Sequence, residues 1–260
     1  MKRLLLILSL LFCTVAFGAT ETINWYVGDN LYTTTTCESG GDITLPTAPT
    51  KYGYTFQGWR LNYIPIEYLE STGTQYIDTG FVPNINSGME IDVYSVRSDK
   101  PTFAMASSGN QDYLQFGASA ASSVSDRNIL VYNGHSENQE KYWYAQNIYG
   151  AGTGRYTITI DGQNFSIKAS NGSVYKKSVS NSPYVITANI YLFGRNYGGT
   201  PEPSKTRIYF CKLYDNNTLV RDFIPVLDSA GIPCMYDRVE DKFYYNSGTG
   251  NFIAGPVINE

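Results

Sequence analysis

Two carboxylates on one predicted strand form the pattern that comes nearest to catalysis. Glu90 and Asp92 belong to the run Glu-Ile-Asp-Val, and the alternation of a β-strand would place both on the same face. Glycosidases cut with two carboxylates held about 5–10 Å apart across the scissile bond. Tyr94 and Ser95 occupy the two positions at which another Glu would complete a Glu-x-Asp-x-(x)-Glu run. The pair is incomplete, and the sequence favours a solvent-facing polar stripe.

Other catalytic classes lack their residues. The chain has one histidine, His135, in the polar stretch Asn133–Ser136, where a surface loop is the favoured interpretation. A Ser-His-Asp triad would have to use it, yet no G-x-S-x-G run supplies the nucleophile. A zinc site needs several His or Cys ligands. The sequence therefore predicts no catalytic residues and no zinc.

Calcium is the one cation that the loops would suit. Oxygen ligands suit this hard ion, and the predicted loops offer four of them: Asn110, Asp112, Asp126 and Asn128. No EF-hand spacing organises these residues. The sequence otherwise predicts no cofactor.

Two aromatic clusters carry the chemistry of ligand binding. Sugar rings pack on aromatic faces, and their hydroxyls require polar partners. Tyr142, Trp143 and Tyr144 lie between Lys141 and the polar Gln146-Asn147. The alternative is that Trp143 and its neighbours belong to the core.

The second cluster follows a predicted buried strand. It consists of Arg195, Asn196 and Tyr197, and Gly198-Gly199 comes directly after it. Two glycines would let a ligand approach the backbone. Here the alternative is that the segment is only a turn.

The N-terminus predicts export. Met1-Lys2-Arg3 is basic, Leu4–Phe12 is apolar, and Ala16 and Gly18 supply the small residues before a cleavage site. This is the layout of a secretory signal peptide spanning residues 1–18. The apolar run is too short to span a membrane, and no other stretch reaches the roughly 20 residues required. We expect a secreted, periplasmic or surface-associated protein.

Charge argues against a nucleic-acid partner. Loss of Lys2 and Arg3 with the signal peptide leaves 17 basic residues against 23 acidic ones, a net charge of −6. No basic run remains to offset phosphate charge. Nothing in the sequence indicates an oligomeric state.

Three cysteines remain after the signal peptide: Cys37, Cys211 and Cys234. An odd number in an exported protein allows one disulfide and one spare thiol. Cys211 and Cys234 are the expected pair, because they lie in the same predicted domain. The alternative is that all three are small buried hydrophobes.

Composition and patterning predict β structure throughout. The chain has 23 Tyr, 24 Gly and 11 Pro, and only 16% of its residues are charged. Arg155–Ile160 alternates strictly, Asp161-Gly162 predicts a hairpin turn, and Phe165 marks the return strand. Ala188–Gly194 and Arg207–Tyr214 are apolar enough for strands buried on both sides. Many short strands divided by turns predict a sandwich or jelly roll.

The segment after the signal peptide resembles a known surface module. The residues that resemble the end of a Listeria–Bacteroides surface repeat of the internalin B type are Gly40-Gly41, Pro46 or Pro49, Gly53-Tyr54, Phe56 and Gly58-Trp59. The resemblance implies a small β-grasp-like unit over residues 19–61, of a kind found on cell-envelope proteins. One copy is visible, whereas the family usually forms arrays.

Residues 62–260 resemble bacterial laminin-G/concanavalin A-like domains. The resemblance rests on Ile66–Gly80, on the run YLFGRNYGG, and most specifically on Leu219–Gly255. It implies an antiparallel two-sheet jelly roll whose first and last strands pair. Members of this family often bind glycans or belong to adhesins.

The sequence thus predicts an exported, non-catalytic binding protein that recognises a glycan or another cell-surface ligand. One alternative is a structural or adhesive envelope protein with a protein partner. The other is a glycoside hydrolase, which the incomplete carboxylate run disfavours.

Overall fold

A computed structural model describes twelve stretches of the chain: residues 20–27, 30–38, 41–56, 58–59, 63–95, 102–107, 112–119, 128–135, 142–144, 154–161, 164–178 and 185–258. All regular structure in these stretches is β-strand, which confirms the all-β class. Contacts divide the chain into two units, between positions 61 and 62. The expected signal peptide, residues 1–18, lies outside the described residues.

In the first unit, aromatic side chains of a hairpin and of the segment after it pack around Trp59. Strands β1 (Thr20–Val27) and β2 (Asn30–Glu38) pair antiparallel. The rings of Trp25, Phe56 and Tyr32 lie 5.0, 5.1 and 5.8 Å from the ring of Trp59. The Gly-Trp of the repeat-like motif therefore forms the centre of a small aromatic cluster. The β-grasp-like class of this unit stays a prediction.

The second unit is a β-sandwich whose smaller sheet has eight described strands. These are β5 (Ile77–Asp78), β7 (Thr102–Ser107), β8 (Asp112–Ser119), β9 (Asn128–His135), β10 (Tyr142–Tyr144), β14 (Tyr191–Leu192), β15 (Gly194–Tyr197) and β16 (Thr200–Pro203). Their order is β10-β9-β8-β7-β14-β5, and β15 joins β16 to β7. All pairs are antiparallel except the short parallel pair of β15 with β7.

The larger sheet has eleven described strands. They are β3 (Ile64–Pro65), β4 (Leu69–Thr72), β6 (Ser87–Ser95), β11 (Gly154–Asp161), β12 (Asn164–Ala169), β13 (Val174–Ser178), β17 (Lys205–Asp215), β18 (Thr218–Leu227), β19 (Pro233–Asp237), β20 (Lys242–Tyr244) and β21 (Ile253–Ala254). The main order is β13-β12-β11-β6-β17-β18-β19-β20. Near the chain's end, β21 pairs with the early strand β4.

Alternate residues of both sheets form one core. Tyr156, Ile158 and Ile160 of β11 are at most 3% exposed, which confirms the alternation predicted for this strand. Ala104 and Leu192 join the same core from the smaller sheet. The core is therefore a layer between the two sheets, and β11 and β12 contribute to it with alternate residues.

One predicted strand is interrupted, and another is a strand as predicted but is not buried as predicted. Ala188–Gly194 is not one strand, because Phe193 adopts a left-handed backbone (φ 63°) between β14 and β15 while its ring is fully buried beside Phe252. Arg207–Tyr214 is not buried on both sides. Within β17, Ile208 and Leu213 are buried, whereas alternate residues are only partly covered. In a sandwich, one face of each sheet is in contact with solvent, and the partly covered residues of β17 lie on that face.

The C-terminal segment closes the sandwich onto its first strands. Backbone N–H groups of Ser247 and Thr249 donate to the carbonyls of Tyr76 and Thr74. A Cβ added to Gly248 would lie 2.1 Å from the carbonyl oxygen of Thr74. Glycine is required here because the two backbones approach too closely for any side chain.

A buried ion pair holds the last strands. The Asp237 side chain is fully buried and accepts the backbone N–H of Asp222 at 2.8 Å. Arg221, 15% exposed, places its Nε 3.6 Å from that carboxylate and its Nη1 2.7 Å from Glu240. Its Nε also donates to the carbonyl of Thr79. This arginine thus ties β18 to the loop after β5 and to the turn after β19.

The structure contradicts a Cys211–Cys234 disulfide. Both residues are buried free thiols, on β17 and β19, with β18 between them. Two strand spacings amount to about 10 Å, beyond the reach of a disulfide. Cys211 lies in the main core, whereas Cys234 packs with Val226 and Tyr236 in a separate cluster. The alternative of small buried hydrophobes is correct for these two, and Cys37 is half-buried.

We expect Gly248→Ala to lower the free energy of unfolding by about 1–3 kcal/mol, the usual cost of overpacking. Ser247→Ala is the control, because its side chain is exposed and its backbone contact is unchanged. Thermal unfolding of both variants would check this. Equal melting temperatures for the two would show that the Thr74 contact is not tight.

We also expect the protein to lose stability in alkali. Burial raises the pKa of the Cys234 thiol from 9.0 to about 12. Between these values the unfolded chain releases the proton and the folded chain keeps it, so the free energy of unfolding falls as pH rises from about 9 to about 12. Urea unfolding at pH 8 and pH 10 would measure the loss. Cys234→Ala should reduce the difference, and Ser247→Ala, which removes no titratable group, should not. An unchanged difference in Cys234→Ala would refute the assignment.

Candidate ligand-binding surfaces

The aromatic triplet predicted to bind ligand forms strand β10 of the smaller sheet. In register, position 142 continues a row through Tyr132, Gln115 and Met105 to Tyr191. The neighbouring row, which contains position 143, runs through Val131, Phe116 and Ala104 to Leu192. Ala104 and Leu192 are fully buried. The binding role of the triplet stays a prediction.

The second predicted cluster lies on β15, and its side chains already have partners within the protein. Arg195 pairs with Glu202 on the neighbouring strand and lies 5.0 Å from the Tyr197 ring. Asn196 is 3% exposed, and its side chain donates to the Asn189 carbonyl and accepts the N–H of Gly199. Asn196 thus holds the turn in position, and very little of its side chain is accessible to a ligand.

A polar cleft of about 470 Å³ opens beside this turn. Thr187, Ala188, Asn189 and Asn196 line it, together with Gly198-Gly199. Both glycines have positive φ, so the backbone here is left-handed and carries no side chain. A ligand in the cleft would meet backbone and amide groups. Four strand steps, about 19 Å, separate this cluster from β10, so the two predicted clusters do not form one site.

The outer face of the larger sheet carries a cluster of tyrosines and arginines that the sequence did not reveal. Ile91 and Val93 of β6 face the core, so Asp92 and Tyr94 face outward. Register then aligns four outward residues of adjacent strands: Glu70, Arg207, Tyr94 and Arg155. We call Tyr68, Tyr94, Arg155, Arg207 and Tyr209 the Tyr–Arg platform.

Guanidinium groups lie over tyrosine rings across the platform. The Cζ of Arg155 is 3.6 Å from the centre of the Tyr209 ring. The Cζ of Arg207 is 4.6 Å from Tyr68 and 5.3 Å from Tyr94. Such cation–π contacts contribute about 0.5–1 kcal/mol each at exposed sites. Tyr68 and Tyr209 also meet edge to face at 5.5 Å, which completes a continuous surface.

Carboxylates hold both arginines from the side. Arg155 donates through Nε to Asp92 at 2.9 Å, and Arg207 donates through Nε to Glu70 at 2.6 Å. Glu67 lies 3.7 Å from Arg155. Burial alone would lower the pKa of each arginine, but the hydrogen bonds and charges of these carboxylates raise it above its usual value. Both cations stay charged at every physiological pH.

The Glu90–Asp92 pair lies on one outward face, as alternation predicted. Each carboxylate already has a cationic partner: Glu90 lies 3.5 Å from Lys212, and Asp92 bonds Arg155 and the Thr157 hydroxyl. Both carboxylates are therefore engaged by side chains of neighbouring strands.

The structure describes two of the four predicted calcium ligands, and these two lie apart. Asp112 begins β8 opposite His135, and Asn128 begins β9 opposite Ser119, at the other end of the same ladder. Seven residues of strand separate them by about 24 Å. Asn110 and Asp126 lie outside the described residues. His135 ends β9 and is not in a loop. No three His, Cys, Asp or Glu residues converge within the described stretches.

Comparison with models of known protein families and with curated proteins found no match to this chain. Within the part of the chain that the structure describes, no helix has the length and apolar character to cross a membrane.

The platform could have been anticipated only in part, from the alternation of Glu90–Tyr94. Its other members come from strands distant in sequence.

We expect Asn196→Ala to lower the free energy of unfolding by about 1–3 kcal/mol, because it leaves two backbone groups without their partner. Asn171→Ala is the control, since Asn171 accepts one backbone N–H in an exposed turn. Thermal unfolding would compare the two. A loss in Asn196→Ala no larger than the control's would mean that water replaces its bonds.

Proposed function

We propose that this chain is an exported, non-catalytic binding protein that recognises a glycan on the Tyr–Arg platform. The observation that carries the proposal is the stacked, ion-paired arrangement of Arg155 and Arg207 on three tyrosines of one sheet face. The groups lie on strands and are held before any ligand arrives. Preorganisation of this kind lowers the cost of binding.

The platform suits a sugar chemically. The apolar faces of a pyranose pack on flat surfaces, and here those surfaces are tyrosine rings and guanidinium planes. Sugar hydroxyls donate to carboxylates and accept from guanidinium N–H groups, in charge-assisted bonds about twice as strong as neutral ones. Glu67 and Arg155 supply such groups, and their side chains are 47% and 42% exposed.

Support for the wider proposal comes from the chain's organisation. The two-sheet sandwich, with β21 paired to β4, is consistent with a laminin-G/concanavalin A-like jelly roll. We propose that the first unit is a surface repeat and that the signal peptide directs export. A glycoside hydrolase is disfavoured, because Glu90 and Asp92 are both engaged by cations.

An adhesive protein with a protein partner is the second candidate. The first unit exposes large apolar side chains: Leu45, Tyr52 and Tyr54 are 63%, 102% and 72% exposed. Exposed apolar groups of this kind favour protein contact when they form a patch. This unit, and not the platform, would then carry the function.

A glycan array probed with the exported chain, with and without calcium, tests the proposal. We expect binding to weaken at least about tenfold, or 1.4 kcal/mol, in Tyr209→Ala and in Arg207→Ala. Arg238→Ala is the matched control, because this arginine also pairs with a carboxylate, Asp222, on the same sheet. Circular dichroism and thermal unfolding would establish that each variant is folded.

The other outcomes are distinct. Binding lost in Trp143→Ala but kept in both platform variants would move the site to the smaller sheet and refute the platform. No glycan bound in either condition would refute glycan recognition and support the protein-partner candidate.

A further inference from the structure

A bulge in β17 turns two consecutive aromatic residues to the same side of the larger sheet. The register of β17 against β6 shifts between Ile208 and Phe210, so Tyr209 is an extra residue on its strand. Regular alternation would direct one of Tyr209 and Phe210 into the core. Both are instead partly exposed, while Ile208 and Cys211 on either side are fully buried. The bulge therefore adds a further ring, that of Phe210, to the outward face beside the Tyr–Arg platform.

The arrangement of the platform recurs beyond this bulge. In the platform, Arg207 lies over a tyrosine ring and bonds a carboxylate of a neighbouring strand. Further along β17, the Nζ of Lys212 lies 5.6 Å from the centre of the Phe210 ring and 3.5 Å from the carboxylate of Glu90 on β6. The Lys212 and Glu90 side chains are 31% and 30% exposed, so hydroxyl groups of a ligand can bond to them.

Tyr214 extends the same face toward the end of β17. It lies opposite Gly88 of β6 and is partly exposed. A Cβ added to Gly88 would lie 3.4 Å from the Cβ and 3.7 Å from the Cδ2 of Tyr214, so glycine at this position leaves room for the tyrosine side chain. The outward residues of β17 form a line that we call the β17 stripe: Arg207, Tyr209, Phe210, Lys212 and Tyr214.

The β17 stripe is much longer than one sugar ring. Tyr94 and Gly88 of β6 lie opposite its two ends, and six residues of strand correspond to about 20 Å. Rings and cations follow one another along the stripe, and the carboxylates of Glu70 and Glu90 flank it on neighbouring strands. Such a succession suits a chain of pyranose rings, because their apolar faces pack on aromatic rings and their hydroxyls bond to polar groups at the sides.

We propose that the glycan bound by this protein is an extended β-linked chain of the cellulose, xylan or mannan kind, which lies along β17 and uses Phe210 and Tyr214 as a second subsite. Chains of this kind are straight and present successive ring faces along their length. The α-linked chain of amylose coils and would leave a straight stripe. This inference rests on the proposed function. A competing role is structural, because cross-strand pairs of aromatic and charged residues also stabilise a sheet.

Isothermal titration calorimetry of the exported chain tests the inference. The probes are cello-, xylo- and manno-oligosaccharides of two to six units, and malto-oligosaccharides are the coiled comparison. We expect the hexasaccharide of at least one extended series to bind at least about tenfold more tightly than its disaccharide. Phe210→Ala and Tyr214→Ala should each remove most of this gain with length, and Tyr209→Ala should weaken binding at every length. Malto-oligosaccharides should show no such gain.

Tyr175→Ala is the matched control. Its ring is 39% exposed and lies on β13, four strands away from β17 in the same sheet, so this variant should bind like the wild type. Phe210→Leu keeps an apolar side chain at the bulge and removes the ring face, and it replaces Phe210→Ala if that variant does not fold. Circular dichroism and thermal unfolding would establish that each variant is folded.

The remaining outcomes separate this inference from the proposed function. Equal binding of disaccharide and hexasaccharide, both weakened in Tyr209→Ala, would overturn the stripe and leave the platform standing. A length gain kept in folded Phe210 and Tyr214 variants would overturn the second subsite in favour of the structural role. A gain lost in those variants, with unchanged binding in Tyr209→Ala and Arg207→Ala, would support the second subsite and refute the platform.

Two further results would overturn the extended-chain class. One is a malto-oligosaccharide series that binds with the same gain. The other is an absence of binding by all three extended series, after which the glycan array alone would decide the proposed function.

Discussion

Burial of alternate residues between the two sheets determines where every other group of the second unit lies. Met89, Ile91 and Val93 of β6 are fully buried, and their neighbours in the sandwich core come from both sheets. Since side chains alternate along a strand, Glu90, Asp92 and Tyr94 must face outward. A slip of one residue in register would bury these polar groups and expose the apolar ones. Packing of the core therefore determines which residues lie on the outer surface as well as which lie in the interior.

The outer surface then stabilises itself by charge. Arg155 and Arg207 each combine a hydrogen-bonded carboxylate with a tyrosine face. Exposed ion pairs alone contribute little, because holding long side chains costs entropy and water screens the charge. Stacking on rings that strands already hold reduces that entropy cost. Under the proposed function, the same order that stabilises the face would also preorganise it for the ligand.

The C-terminal segment completes the sandwich by contacting residues from the beginning of the second unit. Gly248 allows close contact with the Thr74 backbone, and Arg221 joins the last strands to the Thr79 loop. These contacts span more than 140 residues of chain. They join the early Ile66–Gly80 run to the late Leu219–Gly255 run, so that the two runs form one contact region.

Local pattern determined the all-β class, the β11–β12 hairpin and the outward face shared by Glu90 and Asp92, because each depends only on residues adjacent along a strand. The tertiary structure decided what non-local pairing controls. It placed β18 between Cys211 and Cys234 and put these two thiols in different buried clusters. It placed Asp112 and Asn128 at opposite ends of a ladder. It also interrupted the Ala188–Gly194 run at Phe193. It also brought Tyr68, Tyr94, Arg155 and Tyr209 together from four separate segments. Strand order and register depend on how the whole core packs, and no local spacing encodes them.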